Sequence, residues 1–453
     1  MRTVATVALS LFFVSAFSQA PVYSRITLDP TVTVPSGDLF CLDVAPVGGK
    51  SLFISNAGNL SRDAGYGSQF YIANAAGESE RIPLEKVGLV ANRIDSGEAR
   101  LYFSHISPRG GSALVQTGGY LVSYKREGKV VRRVRDANYA IGFTSETSAL
   151  VLTFKAPSAP SLFFAPWFEI SRYDLEAGTM TPLTLPVPAI DLSRIRLVNK
   201  GRTLVYQSAT GFERIHLGTG AHASFTLPAG SYGYVVDREG KSIYSIRKDF
   251  DDAVVERTSL ANGEVAEAGR ITGAREFVYL SDAVGGRVLV TTGLGLVPED
   301  TGNGWDAYLL DTDADTLSLV SRMPDGSAVD DLPNSIQFAY LTPDGGSAIY
   351  RSKRNDLVAP ASPAWEHPFQ RSYRQAVGGL AEWIAKPVAG GGANLAQLAG
   401  IAVSKNGNSV LYAAREPGSL RAIRLLVRGA ADQVAARIVN TSVNSMTPLA
   451  VTD

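Results

Sequence analysis

Cysteine is almost absent from this chain. Cys41 is the single cysteine among 453 residues, so no intrachain disulfide can form and stability has to come from packing. Cys41 lies in the apolar run Leu39–Leu42, where we expect a small buried side chain rather than a nucleophile. Neither sign of charge is in excess, because 43 Lys and Arg balance 43 Asp and Glu. This balance argues against a nucleic acid or an anionic membrane surface as partner.

Motifs of catalysis and metal binding are also missing. The chain has no Gly-x-Ser-x-Gly sequence and no sialidase-type Asp box, and the four histidines do not have the spacing of a metal site. The run Asp311–Asp315 begins like a calcium loop but lacks its later ligands, so we interpret it as a hairpin turn. The loop Glu299–Asp306 offers oxygen atoms that leave calcium as a candidate ion. We therefore predict no catalytic residue and no cofactor other than that ion.

The first twenty residues have the pattern of a secretory signal peptide. One basic residue, Arg2, precedes an apolar stretch from Val4 to Phe17, and small residues follow at Ser18 and Ala20. The stretch is shorter than the ~20 residues that a membrane anchor needs, which favours cleavage over anchoring. We therefore expect a mature chain of residues 21–453 that is periplasmic or secreted and that has no membrane span.

One pattern recurs along the rest of the chain: an apolar run, a turn rich in Asp, Asn or Gly, and a second apolar run. Eight copies begin at Leu42, Arg93, Gly142, Arg196, Tyr234, Tyr279, Tyr340 and Ile401. Their turns lie about fifty residues apart. The apolar runs alternate or continue for four to eight residues and are rich in β-branched and aromatic side chains, which indicates strands.

Each copy is followed by two further runs, so the repeat predicts four antiparallel strands. Examples are Ala307–Leu310 with Leu317–Val320 and Phe212–His216 with Ala223–Leu227. A sheet that is apolar on both faces cannot be stable alone, but a ring of such sheets buries every face and leaves only short edges. We therefore predict an all-β fold, a single β-propeller domain at 21–453 with eight blades, or seven as the alternative. One segment departs from this pattern, because the composition of Ala430–Arg437 favours a helix.

Loop length divides the predicted propeller into two faces. Turns between first and second strands, and between third and fourth strands, are short and share one face. Connections between second and third strands share the other face, where we predict long loops at Asn56–Ser68, His105–Gly118, Lys155–Pro166, Gly293–Gly304 and Ser352–Gly379.

The repeats resemble those of TolB-like, WD-like propellers of exported bacterial proteins. The resemblance rests on LTPDGGSAIYRSKRNDLVAP from Leu341, on LSDAVGGRVLVTTGLGLVPEDTGNGWDAYLLDTDADTLSLVS from Leu280, and on the segment from Leu42. The other five copies fit only at the turn and its flanking strands. The resemblance implies a fold and not a reaction, and the partner of TolB cannot be carried over because TolB has a further domain and fewer blades.

The long loops concentrate aromatic and charged residues, a composition typical of recognition surfaces. We predict that they bind a protein or polysaccharide ligand in the envelope or medium, as an exported binding or assembly module. The candidate ligand-binding residues are Tyr66, Trp167, Trp305, Arg354, Trp365 and Arg371, and Tyr373 is assigned to the same loops. The alternative is a hydrolase or lyase acting on an extracellular polymer through carboxylates such as Asp249, Asp251 or Glu299.

Overall fold

The computed structural model describes much of the chain between residues 39 and 439. The described residues are 39–45, 47, 50–55, 69–74, 79–89, 104–117, 119–155, 167–183, 187–188, 195–208, 211–274, 278–302, 304–329, 336, 339–342, 344–352, 354, 356–358, 371–383, 401–403, 409–416, 420–427 and 433–439. Within these ranges every regular element is a strand apart from two 3-10 helices, Leu84–Val87 and Glu127–Lys129. No helix there has the length and apolarity that a membrane span requires. The prediction of an all-β fold is confirmed.

The strands form consecutive antiparallel sheets, and the first four sheets cover residues 39–188 and 196–225. The first sheet contains β1 Leu39–Val44, β2 Ser51–Ser55, β3 Gln69–Ala73 and β4 Ser79–Arg81. The second contains β5 His105–Ile106, β6 Ser112–Thr117, β7 Tyr120–Lys125 and β8 Val130–Val134. The third contains β9 Tyr139–Phe143, β10 Ser148–Lys155, β11 Trp167–Asp174 and β12 Thr179–Pro182, with a fifth strand β13 Val187–Pro188 on β11. The fourth contains β14 Arg196–Val198, β15 Thr203–Gln207, β16 Phe212–His216 and β17 His222–Phe225.

Four more sheets follow in the same order. The fifth contains β18 Ser231–Val236, β19 Ser242–Asp249, β20 Asp252–Ser259 and β21 Val265–Ile271. The sixth contains β22 Tyr279–Val284, β23 Arg287–Thr292, β24 Asp306–Asp311 and β25 Thr316–Leu319. The seventh contains β26 Tyr340–Leu341, β27 Ser347–Ser352, β28 Arg371–Ala376 and β29 Ala381–Trp383. The eighth contains β30 Ile401–Val403, β31 Ser409–Glu416, β32 Leu420–Val427 and β33 Gln433–Val439.

The sheets are arranged around an axis along which their first strands lie. β1 contacts β5, β5 contacts β9, β9 contacts β14, β18 contacts β22, and β22 contacts β26. Asn199, after β14, donates its backbone N–H to the carbonyl of Arg238, after β18, at 2.9 Å. β1 also contacts β30 and β31, so the last sheet lies beside the first. This is a β-propeller, as predicted, and the blade count of eight, with seven as the alternative, stays a prediction.

Apolar cores lie between successive sheets rather than at one centre. Val288 and Val290 of β23 pack in the core between the fifth and sixth sheets, whereas Leu289 packs in the core between the sixth and seventh. Further cores of this kind join the first sheet to the second, the second to the third, the third to the fourth and the fourth to the fifth. Because alternate residues of one strand face opposite sides of a sheet, the second to sixth sheets each bury both faces against their neighbours.

Carboxylates of the inner strands and turns join one sheet to the next. Asp282 of β22 accepts a hydrogen bond from the N–H of Leu341 at 2.8 Å, and Asp43 of β1 accepts one from the N–H of Ile106 at 2.9 Å. Each of the two aspartates follows a bulge in its strand. Burial raises the pKa of Asp282 above its ordinary value, and the Arg238 guanidinium from the fifth sheet opposes that rise. These hydrogen bonds fix the position of the first strand of one sheet relative to the first strand of the next.

The antiparallel order gives the propeller two unlike faces. The turn face carries the turns between first and second strands and between third and fourth strands, such as 285–286 and 312–315. The loop face carries the connections between second and third strands, such as 293–305, and the links to the next sheet. Gly240 on the turn face has φ of 68°, and a Cβ there would lie 2.8 Å from the side chain of Val198 in the preceding sheet.

Some sequence-based boundaries are wrong. The predicted loop His105–Gly118 contains β5 and β6, because the turn Ser107–Gly111 closes a strand pair in which Leu114 and Val115 are fully buried. The repeat copy predicted from Arg93 therefore belongs about twelve residues further on, and residues 90–103 lie outside the described part of the chain. The predicted loop Ser352–Gly379 contains β28, and the segment Gln433–Val439 is a strand rather than a helix.

Candidate functional site

Tyrosines stand near the beginning of several inner strands, where the central axis opens on the loop face. Tyr279 is the first residue of β22 and Tyr232 the second residue of β18. Their side chains are large, yet 50% of Tyr279 and 39% of Tyr232 remain exposed. Burial raises the pKa of Tyr232, against the effect of a hydrogen bond from the backbone of Val278, which places its hydroxyl beside the start of β22. Tyr232 and Tyr279 therefore lie next to each other at the mouth of the axis.

Trp305, a predicted ligand-binding residue, completes this aromatic group. Its ring lies 5.6 Å from the ring of Tyr279, centroid to centroid, at an angle of 31°. Trp305 precedes β24, and its indole crosses above the end of β23, where a Cβ on Gly293 would come within 3.4 Å of the indole Nε1. We call Tyr232, Tyr279 and Trp305 the mouth aromatics. Such a group offers flat apolar faces with polar edges, which suits a ligand that has both.

A buried tyrosine holds the loop that carries Trp305. Tyr308 of β24 is fully buried, and its hydroxyl donates to the carboxylate of Asp300 and accepts from the backbone N–H of Leu296 at 3.4 Å. Burial and then the hydrogen bond to Asp300 raise the pKa of Tyr308, so this hydroxyl stays protonated at neutral pH. The loop 293–304 is thus fixed to its own sheet at two points. Trp305 is positioned by a rigid support rather than by a free loop.

An ion pair on the loop face connects the loop that carries Trp305 to the segment after the outer strand β25. Glu299 of the same loop pairs with Arg322 at 3.5 Å, and both side chains are partly exposed. The backbone of Arg322 exchanges two hydrogen bonds with the side chain of Gln375, at 3.2 and 3.0 Å. A carboxylate and a guanidinium are therefore held on the same face as the aromatic group, where they can bond hydroxyl groups of a ligand.

The other predicted site residues are described only in part. Arg354 forms a two-point ion pair with Asp356, at 2.9 Å for each contact, and its carbonyl accepts a hydrogen bond from Tyr373 at 2.7 Å. Tyr373 is fully buried, so its assignment to the exposed loops is wrong. Trp167 and Arg371 begin the strands β11 and β28, and only their backbones are described. Tyr66 and Trp365 lie outside the described residues.

The oxygen-rich loop Glu299–Asp306 uses its carboxylates within the fold. Asp300 binds the hydroxyl of Tyr308, and Asp306 accepts hydrogen bonds from the Ser321 hydroxyl at 2.7 Å and the Val329 N–H at 3.1 Å. Among the residues that the structure describes, no group of three or more His, Cys, Asp or Glu side chains is placed to hold a metal ion. A calcium ion at this loop stays a prediction.

Sequence reasoning missed the exposed aromatic residues that belong to strands. Tyr120, at the start of β7, lies under the guanidinium of Arg133 at 3.3 Å from ring centroid to Cζ. Tyr139, at the start of β9, contacts the ring of Phe154 at 5.5 Å in an edge-on arrangement. A signal for such residues is present in the repeats, since Tyr232, Tyr279 and Tyr340 all stand at or next to the start of a first strand.

The turn face carries a cleft that is bordered by acidic side chains. A cleft of about 530 Å³ lies among turns of the fifth, sixth and seventh sheets, and its lining includes Glu239, Asp311, Asp313 and Asp344 beside Arg287. Backbone N–H donors of the turn at Ala314 and Asp313 lower the pKa of Asp311 below its ordinary value. The Thr342 hydroxyl and the Gly346 N–H do the same to the pKa of Asp344. Asp311 and Asp344 cap their own turns, which accounts for their presence without a ligand.

No protein-family model matches the chain, and no curated protein matches it. Among solved structures, Porphyromonas gingivalis dipeptidyl peptidase 4 is similar at 10% identity and a TM-score of 0.50, over 89% of this chain and 59% of the peptidase chain. The β-propeller domain of the trilobed protease from Pyrococcus furiosus has 12% identity and a TM-score of 0.41, over 88% of this chain and 94% of that domain.

TolB from Acinetobacter baumannii is similar at 13% identity and a TM-score of 0.34, over 72% of this chain and 80% of TolB. At such identities the likeness is one of fold and transfers no activity. The resemblance to TolB-like propellers that the repeats predict is confirmed at that level, and the chain is a β-propeller.

Proposed function

We propose that this chain is an exported binding module that holds a polysaccharide over the mouth of its axis on the loop face. The observation that carries the proposal is the contact of the half-exposed Tyr279 with the partly buried Trp305, beside Tyr232. Burial of these rings would stabilise the fold by about 1.5–3 kcal/mol each, so leaving them partly exposed suggests use by a ligand. Sugar rings present C–H faces that stack on aromatic rings and hydroxyls that bond charged or phenolic groups.

The surroundings of the mouth aromatics support a polysaccharide over a globular protein. The rings lie at an opening bordered by the loop 293–304, and the pair Glu299–Arg322 on the same face would supply hydrogen bonds to hydroxyl groups further along a polymer. An extended polymer can enter such an opening. A globular protein would instead need a surface complementary to the loops around the opening. The N-terminal pattern supports export, and a polymer of the envelope or medium is what an exported protein would meet.

Affinity electrophoresis in gels that contain one polysaccharide each tests this function. Dextran and carboxymethylcellulose serve as a neutral and an acidic glucan, and polygalacturonate and alginate as uronic acid polymers. At least one of them should retard the mature protein. Tyr279→Ala and Trp305→Ala should each lower the affinity about tenfold, since truncation of an aromatic anchor costs more than about 1 kcal/mol and about 1.4 kcal/mol is tenfold. Val265→Ala is the matched control, because Val265 is 48% exposed at the turn face of the fifth sheet. Equal retardation of all variants would refute the site.

The alternative function, cleavage of the polymer, needs two carboxylates that face one cleft. In the described residues Asp249 is paired with Arg270 at 2.9 Å and Glu299 with Arg322 at 3.5 Å, each on a different sheet. No observation brings them to one point. New reducing ends or unsaturated products after incubation with the retained polysaccharide would establish cleavage, and their absence with binding intact would leave the module as a binder.

A further inference from the structure

Phe250 occupies the tip of a projecting hairpin on the loop face. Asp249 pairs with Asp252 across β19 and β20, so only Phe250 and Asp251 form the turn. Each of these strands has eight residues, longer than the six of β18 in the same sheet. The side chain of Phe250 is 98% exposed and therefore has almost no contact with its own chain. A lone aromatic ring stands free of the propeller.

The backbone at this tip is unfavourable for phenylalanine. Phe250 has φ of 56°, in the left-handed region where glycine, asparagine and aspartate are the usual residues of a two-residue hairpin turn. A bulky side chain there is strained, and full exposure gives it no packing that would offset the strain. Glycine would therefore serve the fold at least as well. The fold does not explain why phenylalanine stands at position 250.

Ion pairs hold the hairpin in a fixed orientation. The guanidinium of Arg270 in β21 binds Asp249 at 2.9 Å, Asp252 at 3.3 Å and Glu267 at 3.1 Å. Asp252 also accepts the N–H of Gly273 at 3.1 Å. Lys248 and Arg270 carry two formal positive charges against four negative charges on Asp249, Asp251, Asp252 and Glu267, which leaves a net charge of −2 on these six residues. The ring thus stands on a rigid, acidic base.

We propose that Phe250 is the anchor of a protein-docking site, and that the partner is a protein with an apolar socket bordered by Lys or Arg. A single protruding ring on a fixed support has the form of an interface anchor that fills a pocket of a partner. The acidic base is complementary to a basic socket rim and repels an anionic membrane surface. A single protruding ring does not suit a polymer, because it does not form an opening bordered by several rings as the mouth aromatics do. This site is independent of polysaccharide binding.

Photocrosslinking in the producing cells tests the site directly. The full chain carries p-benzoylphenylalanine in place of Phe250, and a control chain carries it in place of Val265, at the opposite end of the same sheet. We expect an adduct with one protein at position 250, and no adduct with that protein at position 265. Mass spectrometry should locate the bond in an apolar segment flanked by Lys or Arg. Adducts to lipid, to polysaccharide or to a second copy of this chain, or the lack of any adduct, would overturn the proposal.

The Phe250→Gly variant separates binding from folding. Excess wild-type chain should reduce the yield of the adduct at least tenfold, whereas an equal excess of Phe250→Gly should not. The melting temperature of Phe250→Gly should equal or exceed that of the wild type, because glycine relieves the left-handed strain. Competition by Phe250→Gly as strong as that by the wild type would overturn the role of the ring. Retardation by polysaccharide should be unchanged in this variant, so failure of one site is distinguishable from failure of the other.

Discussion

The carboxylate of Asp282 in the sixth sheet accepts a hydrogen bond from the backbone N–H of Leu341 in the seventh sheet at 2.8 Å. The same carboxylate pairs with Arg238 from the fifth sheet, with its Oδ1 at 3.1 Å from Nε of the guanidinium. One buried side chain thus connects three consecutive sheets. The contact between sheets is therefore specific at the inner strands and does not rest on apolar packing alone.

Asp282→Ala should destabilise the protein by about 3–5 kcal/mol, because it leaves the Arg238 charge and the Leu341 N–H without their buried partner. Urea denaturation followed by circular dichroism measures the change. Ser281→Ala, a change at the partly buried neighbour in the same bulged strand, should cost less than about 1 kcal/mol. Similar losses for the two variants would contradict a connecting role for Asp282.

Tyr308→Phe should loosen the loop that positions Trp305. Removal of the hydroxyl takes a donor from the buried Asp300 carboxylate and should cost about 1–3 kcal/mol of unfolding free energy. It should also weaken polysaccharide retention, because Trp305 loses its support. Tyr350→Phe is the matched control, since Tyr350 is buried in the next sheet and bonds Gln375. The control should lower stability with a smaller loss of affinity, and an equal effect on affinity would argue against the support.

Gly240→Ala should destabilise the turn face for two reasons. A Cβ at this position combines a left-handed φ of 68° with a contact 2.8 Å from the Val198 side chain. Gly273 has a φ of 72°, and a Cβ added there would meet no atom of the described residues within 4 Å. Gly273→Ala therefore isolates the cost of φ, about 1–2 kcal/mol. Thermal unfolding should show a larger loss for Gly240→Ala, and equal losses would mean that the neighbouring sheet yields to the added atom.

Acid should destabilise the protein partly through Asp344. The Thr342 hydroxyl and the Gly346 N–H hold its folded pKa below the ordinary value. A depressed folded pKa contributes stability that is present above the unfolded pKa of about 3.9 and is lost as the pH falls through the folded pKa. Between about pH 5 and about pH 2, the unfolding free energy of Asp344→Asn should thus fall less steeply than that of the wild type. Parallel curves would contradict this role.

Much of the fold can be predicted from the sequence, because the period of the apolar runs is a local property. The segment from Tyr234 forms β18 and β19, joined by a turn at Gly240, as its pattern indicates. The predicted position of the second repeat is wrong because β5 has only two residues, whereas the segment from Arg93 has the expected Gly turn and the apolar run Leu101–Phe103. A first strand of two residues is too short for its apolar pattern to distinguish it from the adjacent segments of the chain.

The candidate site is harder to predict, because it depends on which strand ends meet. Composition points to Trp305, but Tyr279 lies in a different strand of the sheet, and only the pairing of β22, β23 and β24 brings the two rings together. Phe250 lies among aspartates, where the sequence gives no sign of a left-handed φ. Side-chain exposure at a strand end is set by neighbouring sheets and not by the local pattern.

Hydrogen–deuterium exchange tests the central claim most directly, with and without the polysaccharide that retards the protein. Binding at the mouth should slow exchange in peptides that cover Tyr279–Leu280 and the loop 293–305, and leave the turn 312–315 on the opposite face unchanged. Protection of the turn 312–315 with an unprotected loop 293–305 would contradict a ligand site on the loop face.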